Sequence, residues 1–535
     1  MVDSPSPSRL STAILSLLLV TGAFAVVVAG VPSELFDLDR HAFPKELALH
    51  ATALLGIPLL AWSLPAIRLT VPAWLVSAWL VWSTLSSVFA TNYWQAWRAL
   101  GVSLSGAIIF WMATRVARGG RSGLVLGGLA VAAVVAAGTG VAQAHGVHFA
   151  LLAESRAPGG TLGNRNFLAH LTVIVLPIIL LLTVRGRGRI PLLVGMVGLI
   201  VCTTLVVLTR SRAAWLAAAV SLGCLLVASL VASRVQREES ISPARVRSAL
   251  LAMALGVAVA LLIPNQLEWR SGSPYRDTLG GLVNYQDGSG RGRLIQYRNS
   301  LALVRASPIF GVGPGNWAVE YPTVTTPGDP SFASANPIPT NPWPSSDWVA
   351  ILAERGPIGV VLLLLAGLAM AVSAARRLGD PDGLVAHRAA ALLAVLAATL
   401  VCGMFDAVLL LAPPTLFFWA ACGVLLPDTG PVLERPITRR AALLLFSVMV
   451  SLATVTTSRS AAQLVALMEA GTGRDLGAVR RSAFIDPGNF RLHLILATRL
   501  RCDQAREHGR QALRLYPHHP SAKRAAARCG RGITL

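Results

Sequence analysis

Charged side chains are scarce in this sequence. Only 13% of its 535 residues are Asp, Glu, Lys or Arg, whereas 54% are hydrophobic and the mean hydropathy is +0.62. A soluble globular protein carries roughly 25% charged residues, so this composition excludes that class and indicates a polytopic membrane protein. The net charge of +21 comes mostly from arginines in loops that face anionic lipid, and we predict no nucleic-acid partner.

Metal-binding and redox signatures are also missing. The six cysteines include no Cys-x-x-Cys pair and no Cys/His spacing typical of a zinc site, and we predict no metal and no cofactor. Cys502 and Cys529 lie in the hydrophilic C-terminal segment, where a disulfide bond and two buried thiols are both open. The other four lie in apolar runs and are expected to be inert: Cys202, Cys224, Cys402 and Cys422.

What the sequence does contain is a series of about thirteen apolar runs of membrane-spanning character. The first follows Arg9 and superficially resembles a secretory signal, but it is long enough to cross the bilayer, so we interpret it as an uncleaved helix. The run at 414–427 is short and fits either a span or a re-entrant segment. The predicted spans lie near 10–31, 47–67, 70–90, 98–114, 123–144, 167–184, 190–209, 213–232, 249–264, 349–373, 388–411, 414–427 and 441–457.

Arginine occupies alternate gaps between these spans, beginning with Arg9 before the first span and Arg68 after the second. Under the positive-inside rule those gaps are cytoplasmic, and so is the N-terminus. The segments 145–166 and 265–348 and everything after residue 457 then lie outside.

Two groups of arginines break this rule. Arg210 and Arg212 lie in a tight outside turn, and an arginine-rich stretch extends over 270–305 in the outer loop. Arginines at a helix end can simply reach toward lipid headgroups. Two of them flanking one serine in an outside turn favour a functional role instead.

The chain is predicted to have four parts. Nine transmembrane helices occupy 1–264, a large external loop occupies 265–348, four more helices occupy 349–457, and a helical tail occupies 458–535. In the tail, apolar positions recur with helical spacing and Pro turns follow the helices, which resembles degenerate tetratricopeptide repeats packed on the membrane domain. Such a tail can contact a protein partner.

Four segments near the outer ends of the spans combine glycine, asparagine and arginine. The first reads GTLGNRNFLA, the second is the turn LTRSRAAW, the third contains Arg293 and then SPIFGVGPGNW, and the fourth begins DWV and continues to ERGPIG. They occupy 160–169, 208–215, 293–317 and 347–359.

In this order the four segments resemble the O-antigen ligase and polymerase superfamily. Its members carry a GxxGNxNxxA segment, an SR turn between two helices, an Arg followed by PxxGxGxxx in the large periplasmic loop, and an HNxxLxxxxExG segment that closes this loop. The resemblance implies an all-α, multi-pass protein of the bacterial inner membrane with a cytoplasmic N-terminus and a periplasmic C-terminus. It also implies transfer of a glycan from a polyprenyl diphosphate to an acceptor hydroxyl on a glycolipid or glycan, and leaves ligase and polymerase open.

The sequence departs from the family at one position. Aligned on Glu354 and Gly356, the family's His-Asn pair falls on Ser345 and Ser346, and no histidine occurs between His170 and His387. Asp347 is the nearest substitute for the missing acid/base group. The external His145 and His148 are the alternatives.

Guanidinium groups bind phosphate oxygens bidentately and stay charged, so they suit a diphosphate leaving group. We therefore predict Arg212, Arg293 and Asp347 as catalytic residues. Asn164 and Asn166 more readily cap the sixth helix, and Glu354 is expected to pair with an arginine. The predicted substrate-binding residues are Arg210, Asn164, Asn166, Arg291, Arg298 and Glu354.

Two other classes of function compete with a glycan transferase. A transporter should show internal repeats with broken helices near the middle of the membrane, and no matching pair of interrupted spans is evident. A non-catalytic homologue that binds a lipid-linked glycan is favoured only by Ser345 at the family's histidine position.

Overall fold

The computed structural model describes residues 9–33, 35, 38–62, 67–152, 156–235, 242–269, 271–281, 288–326, 329, 331, 342–426, 433–435 and 438–528. Helices dominate these residues, and the two strands form a single short ladder. The helices are α1 Arg9–Val28, α2 Asp39–Trp62, α3 Val71–Ser86, α4 Tyr93–Arg118, α5 Ser122–Ala144, α6 Arg165–Arg185, α7 Arg189–Thr209, α8 Arg212–Val235, α9 Pro243–Leu262, α10 Pro274–Gly280, α11 Gly288–Ala306, α12 Trp317–Glu320, α13 Asp347–Ala375, α14 Gly383–Phe405, α15 Ala412–Leu425, α16 Arg439–Ala470, α17 Leu476–Ile485, α18 Phe490–Arg499, α19 Cys502–Leu515 and α20 Pro520–Ala527. The strands are β1 Ile67–Leu69 and β2 Leu433–Arg435.

Eleven helices in the described part of the chain are long and apolar enough to cross a membrane. This confirms the all-α polytopic fold. Two of the thirteen predicted spans are of a different kind. The helix α2 carries Asp39, Lys45 and Glu46 in its first two turns, and α15 has only 14 residues, or roughly 21 Å of helix. Every residue of α15 is buried, so this helix packs against protein and need not match the thickness of the bilayer.

Close packing at glycines holds α15 against α4. A Cβ at Gly423 would lie 2.5 Å from the Cβ of Ala113, and one at Gly106 would lie 2.6 Å from the ring of Trp419. Small residues of this kind let helix backbones approach closely. Van der Waals packing can then hold the helices together in lipid, where the hydrophobic effect does not. Among the long helices in the described part of the chain, α6 is the most enclosed, because 83% of the residues in its 18-residue apolar stretch are buried.

The connections between helices fall on two sides of the bundle. On one side, β1 after α2 pairs antiparallel with β2 after α15, with Arg68 opposite Glu434. On the other side, the amide of Gln266 after α9 donates to the carbonyl of Ala144 at the end of α5, at 2.8 Å. We call this second side the site face; it holds the connections α5–α6, α7–α8, α9–α13 and α14–α15.

The C-terminal tail lies on the site face. The helix α16 runs unbroken past residue 458, where the sequence placed the start of the tail, and α17–α20 follow as two helical hairpins. Arg491 forms an ion pair of 3.1 Å with Asp39, and the Asn92 side chain donates to the carbonyl of Leu515 at 3.0 Å. Tail and external loop also share one apolar core, which contains Phe490, Leu515, Tyr516, Trp317, Tyr321 and Val312.

Cys502 in the tail is disulfide-bonded, whereas the four membrane cysteines are free. Cys529, the partner considered from the sequence, lies outside the described residues.

Candidate functional site

The first of the four glycine- and asparagine-containing segments builds the start of α6. Gly163 has φ 72°, and a Cβ there would lie 2.3 Å from the ring of His41, so only glycine fits this turn. Asn164 is buried and caps α6, because its side chain accepts a hydrogen bond of 2.9 Å from the amide of Asn166. The segment therefore fixes where the first turn of α6 presents Arg165 and Asn166.

A group of arginines collects beside this turn. The guanidinium carbons of Arg165 and Arg210 lie 5.1 and 4.6 Å from the ring centroid of Trp269, so one indole ring makes cation–π contacts with both arginines. The Nε of Arg210 also donates to Thr278 at 2.9 Å. We call Arg165, Arg210, Arg212 and Trp269 the cationic cluster.

The turn between α7 and α8 is strained to place this cluster. Arg210 has φ 52°, the one positive φ outside glycine among the described residues. Such a conformation costs a side chain on the order of 1–2 kcal/mol. Arg212 begins α8 and donates from Nη1 to the carbonyl of Gly281. This strained conformation therefore directs the two arginine side chains toward Trp269, Thr278 and Gly281.

The electrostatics of the cationic cluster are dominated by positive charge. Burial lowers the pKa of Arg210, and Asp277 and Tyr275 act against this effect. Arg165 interacts electrostatically with Arg210 and with the exposed Arg156. Like charges held this close favour an anion between them.

A second group of polar side chains lies one turn deeper along α6. The Nδ2 of Asn166 donates to Oδ2 of Asp406 at 3.2 Å, at the end of α14. His170 follows Asn166 by four residues, on the same face of α6, and it interacts electrostatically with both Asp406 and Arg293. We call Asn166, His170, Asp406 and Arg293 the imidazole–carboxylate cluster.

The helix α11 carries Arg293 into this cluster and also holds the position of the missing family histidine. The Oε1 of Gln296 accepts a bond of 2.7 Å from the amide of Ser345. The hydroxyl of Tyr297 donates to the carbonyl of Ser345 at 2.6 Å and contacts the carbonyl of Met404 at 2.9 Å. Both backbone groups of Ser345 are therefore fixed by α11.

A comparison with known families now bears on this arrangement. The model of the O-antigen ligase family matches residues 197–364, from within α7 to within α13. Residues 197–364 are therefore similar to the O-antigen ligase family. The match takes in Arg210, Arg212 and Arg293, and it supports a membrane enzyme of the O-antigen ligase or polymerase type. No curated protein matches the chain.

Within the matched region, the carboxylate of Asp347, which the sequence predicts to be catalytic, is held by backbone groups. It is fully buried, and its carboxylate accepts bonds from the amide of Val408, at 2.9 and 3.1 Å, and from the amide of Leu409, at 2.9 Å. A carboxylate saturated by backbone donors anchors the α14–α15 connection. This contact positions the adjacent Asp406.

The side chain of Glu354 is also held by contacts within the protein. It is 2% exposed, lies 3.9 Å from the guanidinium of Arg355, and accepts from the amide of Trp317 at 3.4 Å. The helix α13 is broken at Gly356, with φ 68°, and the amide of Gly313 bonds to the carbonyl of Glu354 at 2.9 Å. The glycine-rich segment of the matched region therefore docks onto a broken helix.

The remaining predicted residues lie outside both clusters. Arg291 and Arg298 are exposed and, within the described ranges, make no hydrogen bond or ion pair. His145 bonds to the carbonyl of Val141 at 2.9 Å, and His148 is exposed. Over the described residues, no three His, Cys, Asp or Glu side chains are grouped to hold a metal ion.

Sequence reasoning missed Arg165, Trp269, His170 and Asp406. Arg165 stood within the first segment between the two asparagines, so the signal was present. Trp269 and Asp406 stand alone in connections, and His170 lies inside an apolar span. For these three residues the sequence contains no pattern that points to a site.

Proposed function

We propose that the chain transfers a glycan from a polyprenyl-diphosphate donor to an acceptor hydroxyl on the periplasmic side of the bacterial inner membrane, as O-antigen ligases do. The N-terminus would then be cytoplasmic and the tail periplasmic. A polymerase of the same superfamily, in which the acceptor is a growing glycan, is the alternative within this chemistry. The observation that carries the proposal is the cationic cluster at the start of α6 and the end of α7.

The cluster has the properties that a diphosphate requires. The planar guanidinium of arginine donates two parallel hydrogen bonds to phosphate oxygens, and it remains charged at every physiological pH. Trp269 holds Arg165 and Arg210 side by side despite their repulsion, so the cluster is preorganised for a ligand with at least two negative charges. At the edge of a low-dielectric bilayer this attraction is stronger than in water.

The reaction follows from the leaving group. The bond between the sugar C1 and the phosphate oxygen breaks, and the lipid diphosphate leaves with the electron pair. The acceptor oxygen forms the new bond to C1 and loses its proton. Arginines that contact the diphosphate stabilise the charge that develops on it, and the energy for transfer comes from the donor itself.

A second candidate is a homologue that binds lipid-linked glycan without transferring it. The serine at position 345, where the family carries histidine, favours this function. The two candidates agree on binding of the donor and differ on turnover.

Substitution at Arg212 tests the proposed function. The probe for binding is undecaprenyl diphosphate. Transfer is measured with membranes of a host strain that lacks the gene for this protein and has therefore accumulated its lipid-linked glycan. Arg212→Ala is expected to reduce transfer by about 100-fold or more, because loss of one preorganised donor to a developing charge costs that much. Arg212→Lys keeps a charge without the bidentate fork and should fall in between.

Arg234→Ala is the matched control, because Arg234 is exposed in the last turn of the same helix, at the opposite side of the membrane. It should transfer normally. Normal transfer by Arg212→Ala at normal protein level would contradict the proposal. A wild-type protein that binds undecaprenyl diphosphate but never transfers glycan would favour the non-catalytic homologue.

A further inference from the structure

Lys45 in α2 is a buried cation that no acidic side chain balances. It is 3% exposed, and its ammonium donates a hydrogen bond to the carbonyl of Ala29, just past the end of α1. With the residues that the structure describes it forms no ion pair. An ammonium has three N–H donors, so one carbonyl replaces only part of the water that burial removes. A lysine that only capped α1 could keep its charge in water, as cations at helix ends commonly do.

Lys45 lines a cavity on the site face, between the beginnings of α2, α6 and α15. The cavity is small and partly open, so it has room for one group of phosphate or carboxylate size and not for a whole lipid. Most of its lining is apolar and includes Leu38, Leu162, Phe167, Leu411 and Pro413.

The charge that this cavity offers to a ligand is positive. Glu46 also lines it, but both carboxylate oxygens accept hydrogen bonds from Arg98, at 2.7 and 2.8 Å, so this ion pair is balanced within the protein. The ammonium of Lys45 is left as the unbalanced charge among apolar walls. A buried charge of this kind is stabilised by a partner of opposite sign, and the apolar walls favour an anion carried on an apolar body.

The cavity and the cationic cluster lie on opposite sides of the first turn of α6. Arg165 contacts Trp269 in the cluster, whereas Phe167, two residues later, lines the cavity. Two residues along an α-helix turn through about 200°. Asn166 lies between them and donates to Asp406. Ligands in the cluster and in the cavity therefore meet at this turn.

The wall that carries Lys45 is fixed by the rest of the chain. Arg491 of the tail pairs with Asp39 at 3.1 Å, one turn and a half before Lys45 in α2. The ring of His41 lies against the turn before α6, where a Cβ at Gly163 would be 2.3 Å from it. The ammonium is therefore held at the cavity before any ligand arrives, which lowers the cost of binding an anion there.

We propose that this cavity binds an anionic group of the acceptor, a phosphate or a carboxylate, and that Lys45 is its charged partner. This inference rests on the proposed function, and it makes the acceptor a negatively charged glycolipid or lipid-linked glycan. Donor and acceptor then approach the first turn of α6 from two sides, each held by its own cation. The headgroup of an anionic phospholipid has the same chemistry, and the experiment separates the two sources.

The binding probe is dodecyl phosphate, added to the purified protein in phosphatidylcholine nanodiscs with saturating undecaprenyl diphosphate to occupy the cationic cluster. Lys45→Met keeps a long side chain without charge and is expected to lower the affinity at least about tenfold, because a hydrogen bond to an ionised group is lost. Dodecanol has the same chain without the anion and should bind both proteins alike. A lysine that only caps α1 would lower protein level and the affinity for both probes together.

Transfer with membranes of the deletion strain distinguishes an acceptor from a phospholipid. Lys45→Met is expected to transfer about tenfold more slowly, with affinity for undecaprenyl diphosphate unchanged within about twofold. Weakened binding of dodecyl phosphate together with normal transfer would identify a phospholipid site and overturn the acceptor. Equal binding of dodecyl phosphate by Lys45→Met and wild type would overturn the site itself.

Lys523→Met is the matched control, because Lys523 is the other lysine of the sequence and is exposed in α20. It should change neither probe binding nor transfer. If Lys45→Met does not accumulate, Ala42→Leu decides, because it keeps the ammonium and fills the cavity that Ala42 lines. The same two losses are expected, and normal binding of dodecyl phosphate by Ala42→Leu overturns the proposal.

Failure of this inference and failure of the proposed function give different results. An active wild type with an unaffected Lys45→Met variant overturns the inference alone. A wild type that binds dodecyl phosphate and undecaprenyl diphosphate but transfers nothing overturns the proposed function and the acceptor with it.

Discussion

The two clusters on the site face are built in opposite ways. The cationic cluster lies at helix ends and in a connection, it is partly exposed, and its charges do not depend on pH. The imidazole–carboxylate cluster is assembled from α6, α11 and the end of α14, and its histidine is enclosed. A charge that captures an anion must be reachable and permanent. An enclosed polar group instead acts on the arrangement of the helices around it.

This difference predicts that each cluster governs a different step. Changes at the cationic cluster should appear mainly in donor binding and in stabilisation of the transition state, whereas changes at the other cluster should appear in the transfer rate. Variants that affect only one of these readouts sharpen the distinction, and variants that affect both break it.

The largest of the remaining effects is expected at Trp269. Trp269→Ala removes the ring over which Arg165 and Arg210 both lie, and each cation–π contact contributes about 0.5–1 kcal/mol or more. Affinity for undecaprenyl diphosphate should fall by about tenfold, which corresponds to about 1.4 kcal/mol. The measurement is binding to the purified protein in nanodiscs, with Trp74→Ala on the lipid-facing surface of α3 as control. Unchanged affinity would show that the two arginines are not held by the indole.

A smaller effect is expected at Tyr297. Tyr297→Phe removes the hydroxyl that contacts the carbonyls of Ser345 and Met404, and each bond contributes about 0.5–1.5 kcal/mol. The transfer rate should fall by about fivefold, with donor affinity unchanged, because the segments that carry Ser345 and Asp406 lose a common anchor. Tyr93→Phe, at an exposed tyrosine on α4, serves as control. A loss of donor affinity in Tyr297→Phe would mean that α11 also supports the cationic cluster.

The smallest effect concerns the tail, away from both clusters. Burial lowers the pKa of His519 from 6.5 to about 4, and its ring accepts a bond of 3.1 Å from the amide of Ser521, which only the neutral form can do. The stability that this neutral histidine provides is complete above pH 6.5 and declines as the pH falls toward 4. Acidification from about pH 7 to about pH 5 should therefore lower the hydrogen-exchange protection factors of the amides in α19 and α20, once the intrinsic pH dependence of exchange is taken into account.

His519→Asn keeps a side chain that caps a helix but does not titrate, so it should weaken this pH dependence. It should not abolish the dependence, because burial also lowers the pKa of His493 to about 4. His148→Asn, on the α5–α6 connection, should change nothing. Equal pH dependence in His519→Asn and wild type would remove His519 from the explanation.

Much of the fold could be predicted because the lengths of the apolar runs match the thickness of a bilayer, and because arginines mark alternate connections between them. The exceptions have physical causes. The helix α2 hides its charges in contacts such as the ion pair between Glu46 and Arg98, at 2.7 Å, and α15 is shielded from lipid by protein. The helix α16 continues to Ala470 because hydropathy marks where the bilayer ends and does not mark where a helix ends.

The site was only partly predictable for a related reason. Arg210 and Arg212 stood out because they break a charge rule. Asp347 lies close to the vacated histidine in sequence, yet its partners are the amides of Val408 and Leu409, about sixty residues later, which no local pattern reveals. His170 follows the apolar periodicity of a core helix, so its chemistry becomes visible only when its neighbours are known.

The ladder between β1 and β2 has a mechanical consequence. It fastens the connection after α2 to the connection after α15, so the early and late helices of the chain are joined at the end of the bundle farthest from both clusters. Helices clamped at one end bend or splay most at the free end. Any movement that admits a bulky ligand is therefore a widening at the site face, against the contacts that the tail makes there, and sliding of whole helices past one another is resisted.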